Sequence, residues 1–211
     1  MNFKTLFATA ALAAALPAQA ALTMDVADLG GVTVNGFDAF DGYYTTGPEA
    51  IGDGVTFTGD EDSVLGGYIA ELGTNGLWGL GNAFAATGAV GELRFTFDSL
   101  ISGAGALVNH YELDDLFPFA VVVSAYGDNN QIIETYTVSV DTAEDSYNEG
   151  TFLGITRDTA DIRSISFKGN AVVLDDLSFT TPVPEPETYA MLLAGLGMIG
   201  AVAKRRRHTK R

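Results

Sequence analysis

The chain has 211 residues, no cysteine, and 27 acidic against 11 basic residues, which gives a formal net charge of −16 at pH 7. Without cysteine, disulfides, thiol catalysis and Cys-ligated zinc are all excluded. Residues 21–183 hold 25 of the acidic residues and four of the basic ones, a net charge near −21, so this segment repels nucleic acid and anionic lipid headgroups.

Residues 1–20 have the pattern of a secretory signal peptide. Lys4 supplies an early positive charge, residues 6–16 form an apolar run, and Ala18-Gln19-Ala20 is a small-x-small cleavage site. The alternative, an N-terminal membrane helix, fits less well because the run is short and Pro17 interrupts it. We therefore predict processing by signal peptidase and a mature chain that begins at Ala21.

Residues 21–181 predict a single all-β domain, a β-sandwich or jelly roll. Runs rich in Thr, Val, Phe and Tyr alternate with Gly, Asn and Asp, and no long helical period occurs. The clearest predicted strands are 55–58, 92–97, 120–126, 132–140, 162–167 and 171–180. Residues 127–130, Gly-Asp-Asn-Asn, predict a hairpin between the third and fourth of these strands. Segment 66–90, rich in glycine and alanine, fits either loops or strands that pass close to a neighbour.

Strand 92–97 shows the clearest alternation of residue types. Leu93, Phe95 and Phe97 fall on one face, whereas Arg94 and Thr96 fall on the other. A period of two is typical of a strand with one buried side, so we expect this strand to lie in a sheet that covers a core.

Three aromatic residues are candidates for stacking against a sugar ring. Tyr43 and Tyr44 lie in a glycine-containing loop, and Trp78 is flanked by Gly76 and Gly79. For Trp78 the alternative is a core position, because large aromatic side chains are usually mostly buried.

No pattern in the chain predicts catalysis. His110 is the only histidine of residues 21–181, and no Gly-x-Ser-x-Gly elbow supports a triad with Ser102 or Ser124. Asp114 and Asp115 are adjacent, so on a strand they would face opposite sides and would not flank one glycosidic bond. We expect a domain that is not an enzyme, with a polysaccharide-acting hydrolase as the alternative.

The closing strand carries an unusual pair of carboxylates, Asp175 and Asp176. With unbroken alternation, Asp175 shares the apolar face with Leu177 and Phe179. A buried unpaired charge is costly, so this carboxylate needs a cation, an arginine or several N–H donors.

Residues 174–179, Leu-Asp-Asp-Leu-Ser-Phe, resemble the closing strand of galactose-binding-like jelly rolls, many of which are carbohydrate-binding modules, and hairpin 122–138 resembles their adjacent hairpin. The resemblance implies a structural calcium ion with an oxygen ligand from this strand, so Asp175 and Asp176 are the expected ligands. Asp38 with Asp41, and residues 60–62, are further acidic groups without EF-hand spacing, and solvated loop acids are the alternative there.

The C-terminal region has three segments in a fixed order. Residues 182–188 form a proline-spaced linker that is neither helix nor central strand. Residues 189–203 are uncharged and predict a membrane helix of about 22 Å, short of the roughly 30 Å hydrocarbon core. Residues 204–211 form a basic tail, and its cluster Lys204, Arg205, Arg206 and Arg207 predicts a cytoplasmic end.

Together, the triplet Pro184, Glu185 and Pro186, the short glycine-rich helix and the arginine cluster resemble the PEP-CTERM sorting signal of Gram-negative bacteria, many of which produce exopolysaccharide. The resemblance implies recognition by an exosortase, a membrane-embedded cysteine transpeptidase, which cleaves close to the triplet. These three residues would then be substrate residues. The alternative is a plain single-pass tail anchor.

These features predict a protein that is exported across the inner membrane, is anchored there transiently by its C-terminal helix, and then reaches the cell surface or the extracellular matrix. We expect its β-sandwich to be non-catalytic and to bind carbohydrate such as exopolysaccharide. A secreted polysaccharide-acting hydrolase and a purely structural matrix component are the alternatives.

Overall fold

The computed structural model describes residues 20–61, 63–88, 90–113, 120–181 and 195–196. The predicted signal peptide up to residue 19 lies outside the described residues. So do the predicted linker, the predicted membrane helix apart from residues 195–196, and the basic tail. Within the described ranges, no helix is both long enough and apolar enough to cross a membrane.

The described residues form thirteen β-strands and two short 3-10 helices, Val26–Leu29 and Asp38–Phe40. In chain order the strands are β1 Ala20–Thr23, β2 Val32–Asn35, β3 Glu49–Gly52, β4 Val55–Gly59, β5 Val64–Glu71, β6 Leu77–Ala86, β7 Gly91–Ile101, β8 Gly103–Asn109, β9 Val121–Tyr126, β10 Ile132–Val138, β11 Thr151–Arg157, β12 Ile162–Gly169 and β13 Val173–Thr180.

The strands form two antiparallel sheets. Sheet A has the order β1-β11-β8-β13-β6-β5, with β2 also paired to β13, and sheet B has the order β10-β9-β12-β7-β4-β3. The inward side chains of both sheets meet in one large apolar core. The predicted all-β sandwich is therefore confirmed.

The six strands predicted from sequence all coincide with observed strands, although β10 ends at Val138 and β13 begins at Val173. The predicted hairpin is the pair β9–β10. The ambiguous segment 66–90 contains most of β5 and all of β6, which pair irregularly, with register shifts on both sides of Gly67. Glycine tolerates such irregular backbone, and this explains why the strand pattern was weak there.

Alternation along β7 builds the centre of the core. Leu93, Phe95 and Phe97 are buried as predicted. The Phe95 ring lies 5.6 Å from the ring of Phe57 on β4 and 6.5 Å from the ring of Phe167 on β12. Aromatic contacts of this kind add to the apolar burial that holds neighbouring strands in register.

Sheet A is also covered on its other face. A second apolar cluster contains Leu72, Trp78, Phe84, Ala86 and Val173. Because Val173 belongs to this cluster and the next residue belongs to the main core, the two clusters lie on opposite faces of β13.

An arginine connects the two sheets near one edge of each. Arg157, at the end of β11 in sheet A, contacts Glu134 of β10 in sheet B at 2.8 Å and Asp161 at 2.6 Å, and its side chain is only 9% exposed. The hydrogen bond to Asp161 is the main cause of the raised pKa of Arg157. Arg157, one of the four basic residues of residues 21–183, therefore stabilises the contact between the two sheets.

Candidate functional site

Strand β13 changes its partner part-way along its length. On one side it pairs with β8, whereas on the other side Val173 and Leu174 pair with β6 and residues 177–180 pair with β2. Asp175 and Asp176 lie at this junction. The two carboxylates singled out from sequence therefore occupy a break in the sheet.

The backbone bulges at this junction. The register with β8 shifts between Asp175 and Ser178, and Asp176 has a φ of 50°. The Asp176 N–H donates to Asp175 Oδ1 at 2.7 Å, and Ser178 Oγ donates to the Asp176 carbonyl at 2.9 Å. These local bonds replace the ladder bonds that a bulge loses.

The bulge makes the predicted unbroken alternation of the closing strand wrong. Leu174, Leu177 and Phe179 all belong to the core between the sheets, whereas Val173 belongs to the second cluster. The extra residues of the bulge change which positions of the strand face the core. Asp175 is half-buried and Asp176 is exposed.

A third carboxylate joins this pair where β2 ends. A Cβ atom placed on Gly36 would lie 3.5 Å from Asp176 Oδ1, 3.8 Å from Asp175 Oδ1 and 3.8 Å from Asp38 Oδ2. Gly36 thus lies between three carboxylate groups, and Asp38 is brought there by the 3-10 helix Asp38–Phe40.

The environment of Asp175 opposes its ionisation. Burial raises the pKa of the Asp175 carboxyl to about 7, and the negative charges of Asp176 and Asp38 act in the same direction. The hydrogen bond from the Asp176 N–H lowers this pKa but does not offset the burial. Asp175 therefore titrates close to neutral pH.

Oxygen donors suit calcium, yet the carboxylates are not gathered on one point. Among the described residues, no three His, Cys, Asp or Glu side chains are arranged to hold a metal ion. Calcium at Asp175 and Asp176 therefore remains a prediction.

The chain is pinned immediately before Asp38. Asn35 accepts a hydrogen bond from the Phe37 N–H at 3.0 Å and donates to the Ile51 carbonyl at 2.8 Å. Phe37 has a φ of 58°, is 1% exposed, and packs with its ring 5.8 Å from that of Phe95. This buried ring fixes the start of the loop that connects β2 to β3.

The loop then opens into a basin that is lined by Tyr43 and directly precedes Tyr44 in the chain. We call it the tyrosine basin; it has a volume of about 430 Å³ and is lined by Ala39, Phe40, Asp41, Gly42, Tyr43 and Glu49. The Tyr43 side chain is 48% exposed and that of the adjacent Tyr44 is 66% exposed. The Tyr43 hydroxyl lies 3.5 Å from Glu49 Oε2, and its ring centroid is 6.2 Å from that of Phe40. Exposed rings beside carboxylates form a surface that suits a polyhydroxylated ligand.

Strand β5 supports the back of the basin. Gly66 has a φ of 71°, and a Cβ atom there would collide with the carbonyl oxygens of Phe40 and Tyr43. The Leu65 N–H donates to the Thr45 carbonyl at 3.0 Å. Sequence analysis missed Phe40, Glu49 and Gly66, because only the fold brings β5 against the loop.

Trp78 does not belong to this surface. It is 1% exposed and lies in the second apolar cluster, so its prediction as a sugar-stacking residue is wrong and the core alternative is correct. The turn at Gly76, closed by the Leu72 N–H bond to the Gly76 carbonyl, folds β6 back, and the Leu77 N–H bonds to the Ser146 carbonyl beside it. These contacts place the indole under the loop that precedes β11.

The Ser-His-Asp arrangement weighed from sequence is not assembled in the described part of the chain. His110 is fully buried, with Nδ1 3.1 Å from the Tyr111 carbonyl. The Ser124 hydroxyl lies 2.9 Å from that of Thr135, and the Ser102 hydroxyl lies 3.3 Å from that of Thr180. Asp114 and Asp115 lie outside the described residues.

Of the remaining acidic candidates, Asp41 lines the tyrosine basin, whereas Asp60 braces a turn. Ser63 Oγ donates to Asp60 Oδ1 at 2.8 Å and the Glu92 N–H donates to Asp60 Oδ2 at 3.0 Å. Asp62 lies outside the described residues.

Comparison with known families identifies the C-terminal region. Residues 182–207 match the family model of the PEP-CTERM protein-sorting motif, so the chain carries this sorting motif, as predicted from Pro184, Glu185 and Pro186. The motif implies an exported protein of a Gram-negative cell with a transient membrane-anchored state and processing by an exosortase. No curated protein matches the chain.

Solved structures that are similar to this chain include three domains of low identity. A histidine mutant of the lectin binding domain of lectinolysin complexed with Lewis b is 17% identical over 47% of this chain and 72% of its own, with a TM-score of 0.31. A cleaved adhesin domain of Lys-gingipain is 14% identical over 72% and 100%, with a TM-score of 0.40. The CBM22-1 xylan-binding domain from Paenibacillus barcinonensis Xyn10C is 11% identical over 73% and 97%, with a TM-score of 0.30.

The raised pKa of Asp175 predicts that this residue makes the protein less stable as the pH rises. Between its ordinary pKa of 3.8 and its folded pKa of about 7, the folded state holds a proton that the unfolded state has lost. The free energy of unfolding therefore falls across this window and stays low above it. Asp175→Asn removes this contribution. The melting temperature of the variant minus that of the wild type should therefore increase from pH 4 to pH 7.5.

Thermal unfolding followed by circular dichroism at half-unit pH steps measures this difference. Asp145→Asn is the matched control, because it removes the same charge from an exposed position and should follow the wild type at all pH values. Parallel melting curves for the wild type and Asp175→Asn would contradict the assignment.

Proposed function

We propose that this chain is an exosortase-sorted protein of the cell surface or extracellular matrix, whose non-catalytic sandwich binds carbohydrate at the tyrosine basin. The observation that carries the binding proposal is the pair of exposed rings, Tyr43 and Tyr44, on a loop that is held at its start and in its middle. Buried Phe37 holds one end, and the close approach of Gly66 holds the middle of the loop. A fixed loop loses little conformational entropy on binding, and this favours ligand affinity.

The chemistry of the basin favours a sugar over an apolar ligand. The rings of Tyr43 and Phe40 offer apolar faces, and the carboxylates of Asp41 and Glu49 accept hydrogen bonds from hydroxyl groups. An anionic ligand is disfavoured at this basin because both nearby charged groups are acidic. We therefore propose neutral exopolysaccharide as the ligand class.

Tyr44→Ala and Tyr43→Ala should each weaken binding to neutral polysaccharide by about tenfold or more, because each removes an exposed ring that can stack on a sugar. Affinity electrophoresis of the full-length protein in gels that contain neutral glucans or mannans measures this change. Tyr147→Ala is the control, since Tyr147 is 41% exposed but lies on another loop. Unchanged migration of both tyrosine variants in a gel that retards the wild type would place binding elsewhere.

A polysaccharide hydrolase is the second candidate, because Asp41 and Glu49 both line the basin. Glycoside hydrolysis needs two carboxyl groups across one bond. Release of new reducing ends from a retained polysaccharide, abolished by Asp41→Asn or Glu49→Gln, would favour this function. Retention of a polysaccharide without cleavage supports a binding module, and no retention of any polysaccharide supports a structural matrix component.

We also propose that calcium binds at the bulge of β13, where Asp175 and Asp176 supply carboxylate oxygens. At pH 7.5, millimolar calcium should raise the melting temperature of the wild type by several degrees, since ligand binding to the folded state alone stabilises it. Asp176→Asn should lose this response, whereas Asp145→Asn should keep it. An equal response in all three proteins would indicate general screening of negative charge.

The sorting proposal predicts the mass of the mature protein. Cells with an exosortase should yield a chain that runs from Ala21 to a residue near Pro184, and cells without it should yield a chain that retains Arg211. The triple variant Pro184→Ala, Glu185→Ala and Pro186→Ala should retain Arg211 even with exosortase, because the recognition triplet is gone. Intact-mass spectrometry separates these forms. A chain that retains Arg211 in both cell types would indicate a simple tail anchor.

A further inference from the structure

The face of sheet B that points away from the core carries ordered rows of hydroxyl side chains. Opposite Phe57, Phe95 and Phe167, which point inward, the strand register aligns outward side chains across neighbouring strands. One row contains Thr58, Arg94, Ser166, Ser124 and Thr135, and the next contains Thr56, Thr96, Ser164 and Tyr126. We call this surface the hydroxyl face.

Arg94 and Tyr126 lie together on the hydroxyl face. The Arg94 guanidinium carbon is 3.7 Å from the centroid of the Tyr126 ring, and its Nε donates to Ser164 Oγ at 3.0 Å. A second Arg94 nitrogen, Nη2, donates to Asn130 Oδ1 at 2.5 Å. Ser164 and Ser166 are buried, so Arg94 and Tyr126, which are half-buried, form the outer layer of this part of the face.

A second cation lies on the same sheet face as Arg94. Lys168 is exposed on β12, two residues beyond Ser166, which is the register partner of Arg94. Diagonal neighbours on one sheet face are about 7–8 Å apart, within reach of one ligand group. The nearby carboxylate of Glu92 is the register partner of Lys168 and accepts a hydrogen bond from the Tyr126 hydroxyl at 3.2 Å.

The lack of ion pairs between Arg94 or Lys168 and the described carboxylates is unusual for so acidic a domain. Arg157 and Arg163 each form an ion pair with an aspartate, at 2.6 Å in both cases. In the described ranges, by contrast, neither Arg94 nor Lys168 forms an ion pair, although residues 21–183 contain 25 acidic residues and four basic ones. Arg94 and Lys168 instead lie on an open face among hydroxyl groups, with the Glu92 carboxylate nearby.

We propose that the hydroxyl face is a second glycan-binding site, distinct from the tyrosine basin, which binds a sparsely charged sugar chain through one carboxylate. Arg94 and Lys168 contact the carboxylate, and Thr58 and Thr135, both exposed, exchange hydrogen bonds with neighbouring sugar hydroxyls. Charge complementarity selects this occupant over a neutral glycan, because two cations that form no ion pair with a described residue lie on one face.

The net charge of the domain limits how acidic the ligand can be. At 0.01 M salt the screening length is about 30 Å, so nearly every carboxylate of the domain repels an approaching anion. At 0.15 M salt the length is about 8 Å, so the two adjacent cations dominate. A densely charged polymer places many carboxylates near the acidic surface, whereas a single carboxylate can be confined to the hydroxyl face.

This balance gives a distinctive salt dependence. The affinity should rise several-fold between 0.01 M and 0.15 M salt as long-range repulsion is screened, and should fall again at 1 M as the local contacts are screened. An ordinary basic site on a basic protein shows a steady decrease instead.

The test uses calorimetric titration of the full-length protein in a nonionic detergent. The probe is a tetrasaccharide of three neutral xyloses and one glucuronate, and its partner is the same compound with the carboxyl group reduced to an alcohol. The wild type should bind the acidic probe at least tenfold more tightly than the reduced one. Lys168→Gln and Arg94→Gln should each remove most of this preference, whereas Tyr44→Ala should leave it intact.

Arg163→Gln is the matched control, since it removes one positive charge from the same strand but from a guanidinium already paired with Asp128. Its preference for the acidic probe should equal that of the wild type. If Arg94→Gln fails to fold, exposed Lys168→Gln still decides the outcome. Equal binding of the two probes, no detectable binding of the acidic probe, or full preference in Lys168→Gln would each overturn the proposal.

Discussion

The candidate site depends on the exchange of partner strands along β13. A strand that pairs with β6 over its first residues and with β2 over its last residues cannot keep one regular ladder, so it bulges at Asp175 and Asp176. The bulge has two consequences. It directs the side chains of Leu174, Leu177 and Phe179 into the same core. It also leaves the half-buried carboxylate of Asp175 near the point where the chain leaves β2.

This junction determines the position of the loop that bears the tyrosine basin. Phe37 inserts into the core one residue after Gly36, and Asp38 remains beside Asp175. The exposed tyrosines are thus separated from the core by only a few residues, and Gly66 of β5 supports the same loop from behind. Rigid elements therefore position an exposed surface, which is the usual arrangement for binding loops.

Charge is distributed unevenly over the described surface. Arg157 connects the two sheets near one edge of each, and Arg163 pairs with Asp128 and donates to the carbonyls of Phe97 and Asp98. Arg94 and Lys168 instead lie on the hydroxyl face of sheet B.

The sequence by itself determined the features that depend on local patterns. The sorting motif is a contiguous string of residues, the strands follow from a period of two, and the hairpin between β9 and β10 follows from its turn residues. Only the tertiary structure decided which side chains meet. Trp78 and Tyr44 are both aromatic residues near glycines, yet one is 1% exposed and the other 66%, because burial depends on distant segments that cover a residue. The bulge of β13 likewise involves two partner strands far apart in the chain, and for this reason local alternation wrongly placed Val173 on the same face as Leu177 and Phe179.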